Sequence, residues 1–422
     1  MASRAAKESL RKAALRVTHT LRNAGFPTFW VGGCVRDSLL GKEPHEIDIG
    51  TAAPPERVRG LFRKTIMVGA RFGVVVVVRG PHQFQVATFR RDASYSDGRH
   101  PDSVAFADVR ADVARRDFTV NGLVYDPETE EIFDWVGGRA DLQQRLVRAI
   151  GEPSERFGED HLRMLRAVRF ATQLDFEIES QTWNAIKKMS GLLSRVSGER
   201  LREELERMLA ETDEKKVARG LRLLYDSGLA AAMFPEAAGL PETDFEHLIR
   251  CAAGAAPTTL AVVLAALHHR CGRGGPGAEA AAAVAARLKM SREQRARLVW
   301  LSSHSDALAG ARARKTSALK RLFAGREWPE TAALSRGRVA AGCLDRDDLA
   351  HALRLRERLS EEEIAPEPLL SGDDLLEAGF EPGPAFGETL EAVYDAQLDG
   401  EIATRSEALT LAKRLMERKR CT

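Results

Sequence analysis

Hydrophobic periodicity changes once along this chain, near residue 150, and that change limits the folds open to it. From 28 to about 150, short β-rich runs alternate with helical stretches and loops. The spacing predicts strands at 28–31, 47–49, 65–68, 74–78, 84–88, 122–125 and 132–134. The run Val74 to Val78 is continuously β-branched, which predicts a central strand buried on both faces. After Ile150 almost every segment has helical period, and Leu, Ala, Arg and Glu dominate. Residues 4–24 also predict a helix, with Leu10, Ala14, Val17 and Leu21 on one face. The fold expected is an α/β head followed by an all-α remainder. A length of 422 residues exceeds one ordinary core and predicts several domains.

Bulk charge is nearly balanced, with 63 Lys and Arg against 61 Asp and Glu, but it is unevenly spread. Between Arg57 and Arg116 there are twelve basic residues and five acids, which suits a polyanionic partner or a solvated surface. The five cysteines, Cys34, Cys251, Cys271, Cys343 and Cys421, are scattered and odd in number. With no C-x-x-C among them, they argue against a disulfide framework or zinc site and fit a reducing cytosol. The N-terminus lacks the apolar stretch of a secretory signal, and the apolar run at 74–78 is too short to span a bilayer, so no membrane role is expected. The Gly- and Pro-rich stretch 272–277 predicts a loop or linker, and the Ala-rich 278–286 after it a helix.

The residues that carry chemistry cluster in a few places. Val31-Gly32-Gly33 leads from a strand into a short helix bearing Arg36 and Asp37. The two glycines let backbone N–H groups approach a phosphate, and Arg36 supplies the counter-charge. Glu46 and Asp48 follow, two residues apart in an extended segment, so both project to one face. Two carboxylates beside a glycine turn suit Mg²⁺ bound to a nucleoside triphosphate, because Mg²⁺ takes few protein ligands and fills its shell with phosphate and water. Arg90-Arg91-Asp92 leads into a polar stretch, 91–104, that reads as a mobile loop. Arg115-Arg116-Asp117 with Asn121 offers guanidinium groups for phosphate and an amide for sugar hydroxyls. Finally Asp160, Arg163, Arg166 and Arg169 recur every three residues and form a drifting stripe on a helix. That stripe is either a chain of ion pairs, Asp160 with Arg163 first, or a donor and acceptor array for a nucleobase with Arg166 and Arg169 toward phosphates.

These motifs, in this order, resemble the class II tRNA nucleotidyltransferases, the group of bacterial CCA-adding enzymes and bacterial poly(A) polymerases. The resemblance runs from Gly32-Gly33-x-Val35-Arg36-Asp37 through Glu46-x-Asp48-x-x-Thr51, Thr88-Phe89-Arg90 and Arg115-Arg116-Asp117-Phe118-Thr119-x-Asn121. It continues through Asp134-x-x-Gly137-Gly138-Arg139-x-Asp141-Leu142, then Arg156-Phe157-x-Glu159-Asp160-x-x-Arg163-x-x-Arg166-Ala-x-Arg169-Phe170, then Val196-Ser197-x-Glu199-Arg200-x-x-x-Glu204-Leu205. Leu370-Ser-Gly-Asp-Asp374 and Pro382-Gly-Pro384 are similar to the family's tail. It implies a polymerase-β-like catalytic head at 1–150, a helical neck that recognises the nucleobase at 151–215, a helical body at 216–345 and an RNA-binding tail at 346–422. It implies that Glu46 and Asp48 hold Mg²⁺, that Gly33, Arg36 and Arg116 hold the triphosphate, and that Asp160 and Arg163 read CTP or ATP with Arg166 and Arg169 close by.

Two positions depart from the family pattern. Glu46 stands where Asp is usual, and Gln85 stands where an acidic residue is usual. Glutamate remains an oxygen ligand, one methylene longer. Glutamine brings no charge and cannot act as a base. His268-His269-Arg270-Cys271 lacks the Asp of a phosphohydrolase site and reads as structural. The implied activity is template-independent addition of CMP and AMP to a tRNA 3′ end in the cytoplasm. Poly(A) or A-only addition on the same fold, and an RNA-binding protein with a degraded site, are the alternatives.

Overall fold

The computed structural model describes residues 2–67, 73–92, 104–106, 108–235, 239–268, 277–380 and 383–420. Most of the expected polar loop, the 269–271 part of the His-Cys run, the 272–276 linker, Pro382 and Cys421 lie outside them.

Eleven strands occur among the described residues: β1 (Thr28–Val31), β2 (Ile49–Thr51), β3 (Thr65–Met67), β4 (Val74–Arg79), β5 (His82–Thr88), β6 (Arg90–Asp92), β7 (Val104–Phe106), β8 (Val124–Tyr125), β9 (Ile132–Phe133), β10 (Leu146–Val147) and β11 (Glu177–Ile178). Seven form one mixed sheet in the order β3-β4-β5-β2-β1-β8-β9. Only β2 and β5 run parallel; the other neighbours are antiparallel. The helices beside this sheet are α1 (Ala2–Asn23), α2 (Gly33–Leu39), α3 (Pro55–Leu61), α4 (Val109–Ala114) and α5 (Gly138–Gln144). Helix α1 buries Ala14, Val17 and Leu21, as its period predicts, and with α3 packs on the face that carries Phe84 and Val86.

Two strand expectations need correction. Val74 to Val78 is not buried on both faces. Val75 and Val77 are buried while Val74, Val76 and Val78 are half-buried, and β4 lies second from the sheet's edge. The side that carries Val74, Val76 and Val78 is only half-covered, so a β-branched run here reflects strand propensity rather than double burial. The second strand begins at Ile49, after both carboxylates, rather than at 47. The segment before it still follows the strand's alternation: Ile47 is buried, while Glu46 is exposed and Asp48 half-buried.

Beyond 150 come α6 (Pro153–Glu159), α7 (Leu162–Leu174), α8 (Ser180–Met189) and α9 (Gly198–Leu209). They belong to the same compact unit as the sheet, which comprises Met1–Met208 and Arg219–Gly239. The parallel pair β10–β11 stitches 146–147 to 177–178, and the Arg145 carbonyl accepts from the Glu177 N–H at 2.9 Å. Helix α7 is buried over most of its length, including Met164, Leu165, Ala167, Val168 and Ala171.

The second unit, Leu209–Ala218 with Leu240–Thr422, is helical in its described residues. The Ala-rich stretch forms the helix Gly277–Arg287, as expected. Helices Glu242–Gly254 and Trp328–Ala340 approach closely, because a Cβ on Gly337 would collide with the Cys251 carbonyl. Leu319, Phe323, Leu344, Leu349 and Ile364 centre one apolar cluster; Leu370, Leu375, Val393, Ala408 and Ala412 centre another. In the tail motif Ser371 caps the helix Gly372–Glu377 through a reciprocal bond with Asp374. Cys343 is disulfide-bonded, where the cysteine pattern argued against a disulfide framework, while Cys34 and Cys251 are free and buried. Among the described residues no helix is long and apolar enough to cross a membrane.

Candidate active site

The site begins where β1 ends. Gly32 has φ +79°, a conformation only glycine adopts cheaply, and its carbonyl accepts from Val35 and Arg36 N–H to start α2. That turn also leaves room for a guanidinium: a Cβ on Gly32 would lie 3.0 Å from Arg116 Nη1. Arg36 folds back along Gly33. Its Nη1 donates to Asn121 Oδ1 at 2.6 Å and its Nε to Asp37 Oδ1 at 2.9 Å. The strand, the glycine turn and the 3₁₀ turn Thr119–Asn121 therefore bring Gly33, Arg36 and Arg116 together.

Asp48 sits beside this cluster, its carbonyl accepting from Val31 N–H at 3.0 Å. Burial first, and the Glu46 charge second, push its carboxyl up to about 6, while Arg116 pulls it down. Glu46 and Asp48 thus repel one another in a partly desolvated spot next to a phosphate-sized cluster of donors. A divalent cation relieves that repulsion, so the pair fits Mg²⁺. Among the described residues no three His, Cys, Asp or Glu side chains gather into a metal cage. The β2–β5 register, with Ile49 opposite Val86, puts Gln85 beside Asp48.

Arg116 is anchored from a residue that sequence reading passed over. Asp112, buried in α4, accepts from Arg116 Nη2 at 3.1 Å, from Arg115 Nη2 at 2.6 Å and from Arg90 N–H at 3.3 Å. These contacts hold its carboxyl below the ordinary range although burial opposes them. The signal was present in sequence as Asp four residues before Arg116 on a helical pattern. Arg116 Nε is buried without a hydrogen-bond partner.

The stripe on the neck is not one helical face. Asp160 is extended (φ −145°) between α6 and α7, and only Arg163, Arg166 and Arg169 lie on α7. The Asp160–Arg163 ion pair, one of the two readings of the stripe, does not form; two other pairs stand in its place. Asp160 accepts from Arg200 Nη2 at 2.7 Å and Nη1 at 3.1 Å. Arg163 donates to Glu159 Oε2 at 2.6 Å and to the carbonyls of Arg156 (3.1 Å) and Arg115 (2.9 Å). The last bond fixes Arg163 against the backbone next to Arg116.

Arg166 and Arg169 are held by carboxylates rather than open toward a ligand. Arg166 donates to Asp117 Oδ2 through Nε at 2.9 Å and Nη2 at 2.6 Å; Arg169 Nε pairs with Glu204 Oε2. Asp117 also accepts from Phe118 N–H at 2.8 Å and from Asn121 Nδ2 at 3.1 Å. Burial alone would raise its carboxyl, but Arg166 above all, with Asn121 and Phe118, takes it down to about 2. A continuous network results, Arg36–Asn121–Asp117–Arg166–Glu204–Arg169. That network joins the glycine turn to α7, and the Arg163–Arg115 carbonyl bond brings the same helix beside Arg116 within one unit. Arg200 and Glu204 were visible only as motif positions; their partners became known from the packing of α9.

A mixed sheet whose glycine turn and carboxylate pair are backed by a helical neck defines a poly A polymerase type of head. Residues 28–148 match the family described as Poly A polymerase head domain, and 175–240 the family described as Probable RNA and SrmB- binding site of polymerase A. The chain is similar to the Bacillus stearothermophilus CCA-adding enzyme, solved in complex with CTP, at 30% identity and TM-score 0.76, covering 97% of this chain and 99% of that one. The chain belongs to the CCA-adding enzyme family. It is 42% identical to the Ligilactobacillus salivarius CCA-adding enzyme (52% of this chain, 53% of that protein) and 46% identical to the Lactobacillus helveticus one (46% and 49%). These alignments span about half the length of the curated relatives. The Thermotoga maritima CCA-adding enzyme, complexed with tRNA_CCA, shares the fold at TM-score 0.66 and 21% identity, covering 95% and 93%.

Proposed function

We propose that this protein is a template-independent tRNA nucleotidyltransferase that adds CMP and AMP, from CTP and ATP, to the tRNA 3′ end in the cytoplasm. The observation that supports it is the contiguity of the site: Asn121 and Asp117 link Arg36 of the glycine turn to Arg166 on α7, and Arg163 on the same helix donates to the Arg115 carbonyl next to Arg116. The Bacillus stearothermophilus relative's complex with CTP and the Thermotoga maritima relative's complex with tRNA agree with that substrate class.

In this reading Gly33, Arg36 and Arg116 hold the triphosphate, and the buried Nε of Arg116 faces a ligand oxygen. Asp160 accepts from, and Arg163 donates to, the Watson–Crick edge of the incoming base. Arg166 and Arg169 act through Asp117 and Glu204, fixing the height of α7 over the head. Glu46 and Asp48 hold the metal, Mg²⁺ by the chemistry of the donor set. Held by Glu46 and Asp48, Mg²⁺ would supply charge neutralisation at the α-phosphate. The chain's own residues supply position: they keep the α-phosphate in line with the primer 3′-hydroxyl and limit water. Gln85 beside Asp48 orients that hydroxyl and takes no proton.

A tRNA ending before CCA, offered CTP alone, ATP alone or both, tests the assignment. Incorporation of two C with CTP alone, and of the final A when ATP is added, is expected. Incorporation of A alone, or long A tracts, would assign the A-adding or poly(A) alternative. No pyrophosphate release would assign an RNA-binding role. Asp48→Ala should lower incorporation by about a thousandfold or more while tRNA still binds; a variant that extends primers normally would remove the metal assignment.

A further inference from the structure

The ring of Phe170 lies where three guanidinium groups meet. Arg169 Cζ is 4.0 Å from its centroid, Arg36 Cζ 5.3 Å and Arg166 Cζ 5.4 Å. Phe170 is buried, and Phe118 meets it edge-on at 5.7 Å between centroids. The three cations come from two places in sequence: Arg36 from the glycine turn of the head, Arg166 and Arg169 from α7 of the neck. Arg36 pairs with Asp37, whereas Arg166 pairs with Asp117 and Glu204 and Arg169 with Glu204. No carboxylate is shared between Arg36 and the α7 arginines among the described residues, but the ring is.

Three like charges around one buried point repel, and the cost is visible at Arg169. Burial and the neighbouring Arg166 charge hold its guanidinium below the ordinary range, Glu204 notwithstanding. An aromatic ring presents negative π density to cations, and such contacts strengthen when water is excluded. An aliphatic side chain of similar bulk would fill the space without attracting any of the three.

We propose that Phe170 is a positioning residue that couples the triphosphate-holding Arg36 to the base-reading helix α7 through its π face. This rests on the nucleotide-binding assignment above. The ring touches no substrate atom; it sets the place of Arg36 relative to Arg166 and Arg169, so that phosphate and base are gripped at a fixed separation. Because Arg36 serves every incoming nucleotide alike, the effect falls on CTP and ATP together. It falls on binding rather than on the chemical step, since the carboxylates Glu46 and Asp48 are not involved.

The test replaces Phe170 by 3,4,5-trifluorophenylalanine, which keeps the ring's shape and removes most of its π charge, alongside Phe170→Leu and Phe170→Tyr. The full chain is used, with melting temperature, CTP dissociation constant by calorimetry, and KM and kcat for CTP and ATP measured separately. The fluorinated protein is expected to fold with unchanged melting temperature. Its KM for both nucleotides and its CTP dissociation constant should rise by about fivefold to tenfold, kcat changing less than twofold. Phe170→Tyr restores most of the affinity, and Phe170→Leu loses at least as much as the fluorinated ring. Unchanged KM and dissociation constant in the fluorinated protein overturn the proposal, and so does a rise confined to one nucleotide. Failure of Phe170→Leu to fold leaves the fluorinated comparison decisive. If the wild-type protein itself binds no CTP, the nucleotide-binding assignment fails, an outcome distinct from unaltered affinity in the variant.

Discussion

Arginine dominates both halves of the site, yet the two halves use it differently. On the neck, Arg166 and Arg169 sit among carboxylates that saturate them, Asp117 and Glu204. On the head, Arg116 has one carboxylate partner, Asp112, leans on the bare backbone of Gly32, and keeps a buried Nε without a partner. The doubly held arginines brace the fold; in the reading proposed above, the less paired Arg116 meets a ligand oxygen. A motif of repeated arginines therefore does not say which of them meets the ligand. That depends on how many carboxylates the fold brings to each.

The contrast can be broken by experiment, beginning with its most costly element. Glu204→Ala leaves Arg169 charged and buried, and should destabilise the first unit by about 3–5 kcal/mol, read as a lowered denaturation midpoint with an unchanged slope. A shift under 1 kcal/mol would mean that the neck arginines are not scaffold. Arg116→Ala should act oppositely: KM for CTP and ATP should rise by about tenfold to a hundredfold, with little change in melting temperature. If Arg116→Ala lowers the melting temperature strongly while leaving KM untouched, the two halves have been assigned the wrong way round.

Acid separates them further. The Asp117 carboxyl is lowered from 3.8 to about 2 in the folded state. A lowered folded pKa stabilises above 3.8 and is lost as pH falls through 2. The stability gap between wild type and Asp117→Asn should thus stand at about 2 kcal/mol at pH 6 and close steadily below pH 3.8. A gap that does not change with pH would show that Asp117 acts by shape alone. The smallest effect concerns the sheet face: Gln85→Glu adds a third carboxylate beside Asp48 and should raise kcat by about tenfold at most. A fall in kcat would mean that the added charge disturbs the Glu46–Asp48 pair rather than assisting it.

Much of the head was legible from local pattern. Strand β1 lies at 28–31 as the residues predict, α1 buries Ala14, Val17 and Leu21, and the helix Gly277–Arg287 forms from its alanines. These features depend on neighbours a few residues apart, which periodicity records. The misplaced ones share a cause. Whether Val74 to Val78 is covered on both faces depends on where helices pack, and whether Asp160 continues the stripe of α7 depends on a break between helices that Arg200, forty positions on, stabilises.

Sequence by itself thus determined which chemical groups are present and which lie close along the chain: the glycine turn, the Glu46–Asp48 pair, the arginine triplets and their order. Tertiary structure decided the partners, because the ion pairs that distinguish Arg116 from Arg166 and Arg169 join residues from different elements. Electrostatic environment depends on distance through space and on exclusion of water, and neither is a property of chain order. Only the packing of α7 and α9 against the head made Asp117 a hub and placed one aromatic ring among three cations.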